Sequence, residues 1–156
     1  MSREFDIALA QERDAAAIAR MSRELIEHGL GWSWREARVL RCICSPDTNV
    51  PVIRAGGRIA AFAIMHYRDT EADLLLFAVA PECRRQGMAS ALIEWLLTTA
   101  RVAGVEQIRL EVRAGNRPGR AFYENAGFTI VARLPEYYQG RESAMRMVLK
   151  VAAPVG

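Results

Sequence analysis

Val79-Ala80-Pro81-Glu82-Cys83-Arg84-Arg85-Gln86-Gly87-Met88-Ala89 joins an apolar run, Leu74 to Val79, to an apolar-striped stretch, Ser90 to Ala103. The run reads as a strand, Pro81 stops it, and helical spacing begins near Gly87. A strand that feeds a helix through so short a loop leaves the first N–H groups of the helix without carbonyl partners. Those groups lie at the positive end of the helix dipole. Arg84 and Arg85 add charge beside them, and Gly87 lets a ligand approach backbone with no Cβ in the way. The combination predicts a pyrophosphate cradle. A plain strand–loop–helix crossover with two solvated arginines is the alternative. The sequence has no Gly-x-Gly-x-x-Gly and no Gly-Lys-Ser/Thr, which argues against dinucleotide and P-loop chemistry.

Outward from this loop the pattern alternates between strand and helix. Phe5 to Leu9 alternates as a strand, and Asp14 is placed to cap a helix reaching about Glu27, with Ile18, Met21, Leu25 and Ile26 inward. Gly29 and Gly31 end it. Ser33-Trp34-Arg35-Glu36 has capping-box spacing and predicts a second helix to about Cys44. Val50 to Ala55 and Arg58 to Tyr67 form a hairpin about Gly56-Gly57. Beyond the cradle helix, stopped by Gly104, come a strand (Gln107 to Val112), a helix (Arg117 to Ala126) with Gly127 as its stop, and strands Phe128 to Arg133 and Ala144 to Val151. The segment from Pro135 to Gly140 reads as an aromatic loop. The order is βααβββαβαββ, without repeat or linker: one α/β (α+β) domain over residues 1–156, with a mixed sheet flanked by helices.

Composition narrows the class. The chain has 156 residues, enough for one well-filled core, and is 51% hydrophobic and 25% charged, as soluble globular domains are. No apolar run reaches the ~20 residues of a membrane span. The start, Met1 to Asp6, is polar and lacks the apolar centre of a secretory signal. Three cysteines form no disulfide framework, which predicts a cytoplasmic setting. The net charge of +3 comes from interleaved acids and bases, and no basic block is dense enough for nucleic acid. Cys42 and Cys44, two apart on a helix, are poorly placed to share a metal, and no metal site is expected.

The spacing Arg84-x-x-Gly87-x-Ala89 resembles the acetyl-CoA loop of the GNAT N-acetyltransferase superfamily. Leu110-Glu111-Val112, followed by Asn116, Tyr123 and Gly127-Phe128, resembles the same family. The likeness extends to its RimI-type branch, the ribosomal-protein alanine N-acetyltransferases. It is carried by His28, Trp32-Ser33, Ile59 to Ile64, Phe77-Ala78-Val79, Leu110 to Ala114, and Tyr137-Tyr138 with Gly140-Arg141-Glu142.

The resemblance implies a GNAT fold with acetyl-CoA as co-substrate. Phe77, Ala78 and Val79 would pair by backbone with the pantetheine. Arg84, Arg85, Gln86, Gly87, Met88, Ala89 and Ser90 would hold the pyrophosphate, and Asn116 would touch the cofactor while capping its helix. Acetyl transfer to an amine needs a base for the ammonium proton and an acid for the leaving thiolate. Glu111 would be the base and Tyr123 the acid. Trp32 or Trp34 would line the acceptor pocket, with Tyr137 or Tyr138 opposite. The implied acceptor is a protein N-terminal α-amine. A small amine remains open as the acceptor, as does a non-catalytic acyl-CoA sensor, and the chain would act as a monomer or homodimer.

Overall fold

A computed structural model describes residues 4–152. The polar start at Met1 to Arg3, and the last four residues of the expected 1–156 domain, lie outside the described residues. The elements are β1 (Ile7–Leu9), α1 (Ala15–Met21), α2 (Glu36–Cys44), β2 (Thr48–Asn49), β3 (Pro51–Ala55), β4 (Arg58–Arg68) and β5 (Glu71–Val79). They continue as α3 (Met88–Val102), β6 (Gln107–Arg113), α4 (Arg117–Asn125), β7 (Thr129–Tyr138) and β8 (Glu142–Lys150). Apart from the two-residue β2, this is the order expected. The strands form one sheet in the order β1-β3-β4-β5-β6-β8-β7, with β2 beside β4. Pairing is antiparallel except between β5 and β6, which are joined through α3.

β4 explains why the sheet is covered on both faces. Residues 60–65 are all buried, so this strand reads as a continuous apolar run. Ala61, Ala63 and Met65 join the core under α3, where Met88, Leu92, Leu96 and Ala100 pack. Phe62 and Ile64 face the other way, into a core built with Ile18 of α1, Val39 of α2 and Trp34.

Local chemistry sets the helix ends. α3 starts on Gly87, whose φ of +89° a side-chain-bearing residue adopts only with strain. It stops in a Schellman turn at Gly104, where Gly104 N–H donates to Arg101 and Val105 N–H to Ala100. α4 ends the same way. Gly127 N–H donates to Glu124 and Phe128 N–H to Tyr123, and the Phe128 and Tyr123 rings meet at 5.7 Å.

The structure differs from the sequence reading in three places. The first helix widens into a π turn over Ser22–Ile26, because Glu27 N–H reaches back to the carbonyl of Ser22. Asp14 does not cap it through its side chain; the carboxylate binds Arg54 at 2.7 Å and accepts from Gln11 N–H. The expected capping box at Ser33 and Glu36 is absent. α2 begins after Arg35, and the Ser33 hydroxyl donates to Glu27 instead. The aromatic segment is not a loop. β7 runs to Tyr138, with a wide bulge in which Leu134 and Tyr138 pair with Ala144 and Glu142, so three β7 residues stand opposite Ser143.

Candidate active site

The site begins where β5 and β6 part. They pair from Glu71 with Gln107 to Leu74 with Leu110, and no further, although β5 continues to Val79 and β6 to Arg113. The cause lies in β5. A bulge against β4 takes the pairing from Met65 with Leu74 to Ile64 with Leu76, leaving Leu75 unpaired and half exposed. One extra residue inverts the facing of everything after it. Ala72 and Leu74 face the α3 core, whereas Leu76 and Ala78 face the α1–α2 core. Phe77 and Val79 thereby come onto the α3 side. Past the parting, the backbone of Leu75 to Val79 has β4 on one edge and no strand on the other. That edge can take an extended amide-bearing ligand.

At the end of β5 the chain makes a short 3₁₀ turn, Pro81–Cys83, and then the predicted cradle. Arg85 (φ +62°) and Gly87 (φ +89°) both lie in the left-handed region, a backbone conformation of the kind that builds anion-binding turns. The amides of the first turn of α3 adjoin it without intrahelical acceptors. Arg84, Arg85, Gln86 and Ser90 are exposed, and Met88 is buried beneath as an anchor. The Arg84 guanidinium turns back to the carbonyl of Val79 at 3.3 Å.

Tyr123 lies on the α3 face. Its ring meets Phe77, Phe122 and Phe128 edge-on at 6.0, 5.4 and 5.7 Å. The phenol makes no hydrogen bond among the described residues. Burial, and then the neighbouring Tyr138, push its pKa well above the ordinary tyrosine range. Asn116 caps α4, accepting from Gly119 N–H at 3.0 Å, and a Cβ at position 119 would collide with its amide.

Glu111 lies on the opposite face, between Leu110 and Val112 of the α3 core, as the first β6 residue past the last β5–β6 pair. Arg146, its cross-strand partner on β8, donates to Oε1 from Nε at 3.1 Å and from Nη2 at 2.9 Å. Burial, then Tyr137 and the Glu111 carboxylate, raise the pKa of Tyr138. Tyr137 is raised by burial and then by Glu111.

A clamp that local patterns do not announce shapes this second side. Arg113 donates to the carbonyls of Ile26 and His28 and to Glu142, tying the α1–α2 loop to β6 and β8. The Gln139 side chain pairs with both N–H and C=O of Gly31, at 2.7 and 2.9 Å, and Arg141 reaches Gly29. Inside the loop, the carboxylate of Glu27 is 7% exposed. It accepts from the hydroxyls of Ser22 and Ser33 and from the N–H groups of Ser33 and Trp34. Trp34 is buried in the α1–α2 core with Arg38 stacked on it at 3.7 Å. Trp32 lies between Arg23 and Arg35, its indole N–H bonded to the carbonyl of Trp34. Glu27, Arg113, Gln139 and Arg146 are the residues sequence reasoning missed. Only Arg146 carries a signal, and reading it needs the β6–β8 register.

Among the described residues no cluster of His, Cys, Asp or Glu is placed to hold a metal ion, and no helix is long and apolar enough to cross a membrane. The unpaired edge of β5, the cradle and the free helix amides fit an acyl-CoA in which an amide-bearing arm leads to a pyrophosphate.

Comparison with known proteins agrees with that architecture. The chain matches the Acetyltransferase (GNAT) family over residues 16–128 and belongs to it. It is an acetyl-CoA-dependent N-acetyltransferase. Within the family it is similar to the ribosomal protein bS18 alanine N-acetyltransferase of Escherichia coli strain K12. The identity is 40% over 99 residues, 62% of this chain and 67% of that protein. The crystal structure of the Escherichia coli ribosomal-protein-S18-alanine N-acetyltransferase superposes with a TM-score of 0.83 at 31% identity, over 98% of this chain and 97% of that one. Ard1 from Thermoplasma volcanium gives a TM-score of 0.83 at 30% identity, over 94% and 97%.

Proposed function

We propose that the chain acetylates the N-terminal α-amine of a protein or peptide by direct transfer from acetyl-CoA. One observation carries this reading: β5 and β6 part after Leu74–Leu110, so the β5 edge that leads to the cradle is left unpaired where Glu111 follows on β6. Acetyl-CoA supplies the activated acetyl thioester. The backbone of Phe77, Ala78 and Val79 aligns the arm along the unpaired strand edge, residues 84–90 hold the phosphate end, and Asn116 touches the cofactor while capping α4. Glu111 takes the proton from the acceptor nitrogen. Tyr123 holds a proton at its phenol oxygen for the departing sulfur. Burial raises its pKa, so the group stays protonated throughout the working pH range. The α1–α2 loop and the β7–β8 turn, fastened together by Arg113 and Gln139, form the acceptor wall, with Tyr137 and Tyr138 beside it. The three cysteines are free thiols, which suits a reducing cytoplasm.

The test is acetyl-CoA consumption with peptides of defined N-terminus, with mass spectrometry to place the acetyl group. A peptide beginning with Ala is expected to be modified at its α-amine. The same peptide with a blocked N-terminus and free lysines is expected to be a poor substrate. Acetylation of lysine side chains, or of small amines in preference to both peptides, overturns the acceptor assignment.

A further inference from the structure

We infer that Arg146 is a positioning residue for the acceptor base: it grips one oxygen of Glu111, presents the other to the amine, and offsets the carboxylate's charge. The inference rests on Glu111 being the base. Its ground is the geometry of a single pair. Nε and Nη2 of Arg146 both bond Oε1, at 3.1 and 2.9 Å, and no described residue bonds Oε2. The two residues are register partners on adjacent strands, so the backbone itself holds them together. Both are only partly exposed, the Glu111 side chain at 19% and that of Arg146 at 31%.

No other guanidinium shares the task. Asp73 on β5 binds Arg68 and Arg109, and Glu142 on β8 binds Arg113. The remaining titratable groups around Glu111 are Tyr137 and Tyr138 on β7, both held protonated by burial and by the carboxylate itself. His28 of the α1–α2 loop acts on Glu142. Arg146 is therefore the one ion-pair partner of Glu111 among the described residues.

The arrangement has a chemical consequence. A lone carboxylate beside an ammonium binds it as an ion pair and holds on to the proton that must leave. A guanidinium on Oε1 weakens that hold while keeping Oε2 aimed at the nitrogen. The N–H bond of the ammonium then breaks, the proton passes to Oε2, and the lone pair is released for attack.

Removing the positive charge leaves the acceptor ammonium facing an uncompensated carboxylate, so the ammonium keeps its proton to higher pH and the acidic limb of the kcat–pH profile moves upward.

The experiment measures kcat and KM from pH 5.5 to 9.5 with acetyl-CoA and one Ala-initiated peptide, for wild type, Arg146→Met, Arg146→Lys and Glu111→Gln. Arg146→Met is expected to lower neutral-pH kcat about tenfold and to raise the acidic limb by about half to one pH unit. Arg146→Lys, which keeps the charge but not the two-pronged grip, is expected to leave the limb near wild type with an intermediate kcat. An unmoved limb in Arg146→Met, with Glu111→Gln impaired at neutral pH, overturns the inference and leaves Glu111 as base. Equal limbs in the Lys and Met variants overturn it as well, because charge would then be irrelevant. A wild-type profile in Glu111→Gln overturns the base assignment and, with it, the role of Arg146.

Discussion

The two sides of the parted sheet are built from different materials. On the proposed acetyl-CoA side the groups offered to a ligand are mostly backbone: the edge of Leu75 to Val79 that no described strand pairs, the left-handed residues Arg85 and Gly87, and the first amides of α3. On the proposed acceptor side they are side chains from distant segments. Arg113 bridges to residues 85 and 87 positions away, and Gln139 to one 108 positions away. A backbone site depends on conformations that a few neighbouring residues impose, so most single substitutions leave its hydrogen bonds in place. A side-chain site depends on partners that only folding assembles, and one truncation can release a whole wall.

The difference makes testable demands, and the largest falls on the acceptor side. Glu27→Ala leaves two hydroxyls and two N–H groups without their buried acceptor. Leaving a buried donor without its acceptor costs about 1–3 kcal/mol, and more than one donor is affected here. Denaturant unfolding is expected to show that loss, together with a raised KM for the acceptor peptide. If stability falls by less than about 1 kcal/mol, the usual worth of a single hydrogen bond, Glu27 does not hold the wall.

Tyr123→Phe comes next. A fall in kcat of roughly 10²-fold, equal to about 2.7 kcal/mol, is expected from loss of a general acid. Because burial already raises the phenol's pKa, the wild-type group stays protonated at alkaline pH, and raising pH does not rescue the variant. Acetyl-CoA affinity by calorimetry stays near wild type. A near-wild-type kcat instead makes Tyr123 a packing residue among Phe77, Phe122 and Phe128.

Gly87→Ala probes the cradle. A Cβ there meets only the Phe5 ring at 3.7 Å, so the cost is conformational rather than steric. A left-handed alanine costs about 1–2 kcal/mol. The variant is expected to lose acetyl-CoA affinity more than acceptor affinity, and equal losses would erase the contrast between the two sides.

The smallest effect belongs to Gln139→Ala. It removes two exposed hydrogen bonds to Gly31, each worth about 0.5–1.5 kcal/mol at most. A few-fold rise in acceptor KM with unchanged acetyl-CoA binding places the clamp on the acceptor side. A change in acetyl-CoA affinity instead shows that the two sides are coupled.

Legibility in the sequence follows the same division. The turn between β5 and α3 could be read because Pro81 and Gly87 act over a few residues, and the stop at Gly127-Phe128 because a Schellman turn is local. The two failed caps have a common cause. Asp14 and Ser33 have ordinary capping chemistry, but Arg54, 40 positions away, and Glu27, six positions before Ser33, take them instead. The aromatic segment was misread because β8 holds Pro135 to Tyr138 within a bulged strand despite its turn-forming residues.

The order of elements, the membership of an acyl-CoA-using class, the turn at residues 81–87, and Glu111 and Tyr123 as residues of interest were set by the sequence alone. In each case the deciding interactions span one turn, one strand or one loop. Tertiary structure alone decided that β5 and β6 part at Leu74 and Leu110, that a bulge at Leu75 reverses β5, and that Arg146 meets Glu111. Those features depend on the register between strands and on charges meeting across the fold, and no run of neighbouring residues encodes either.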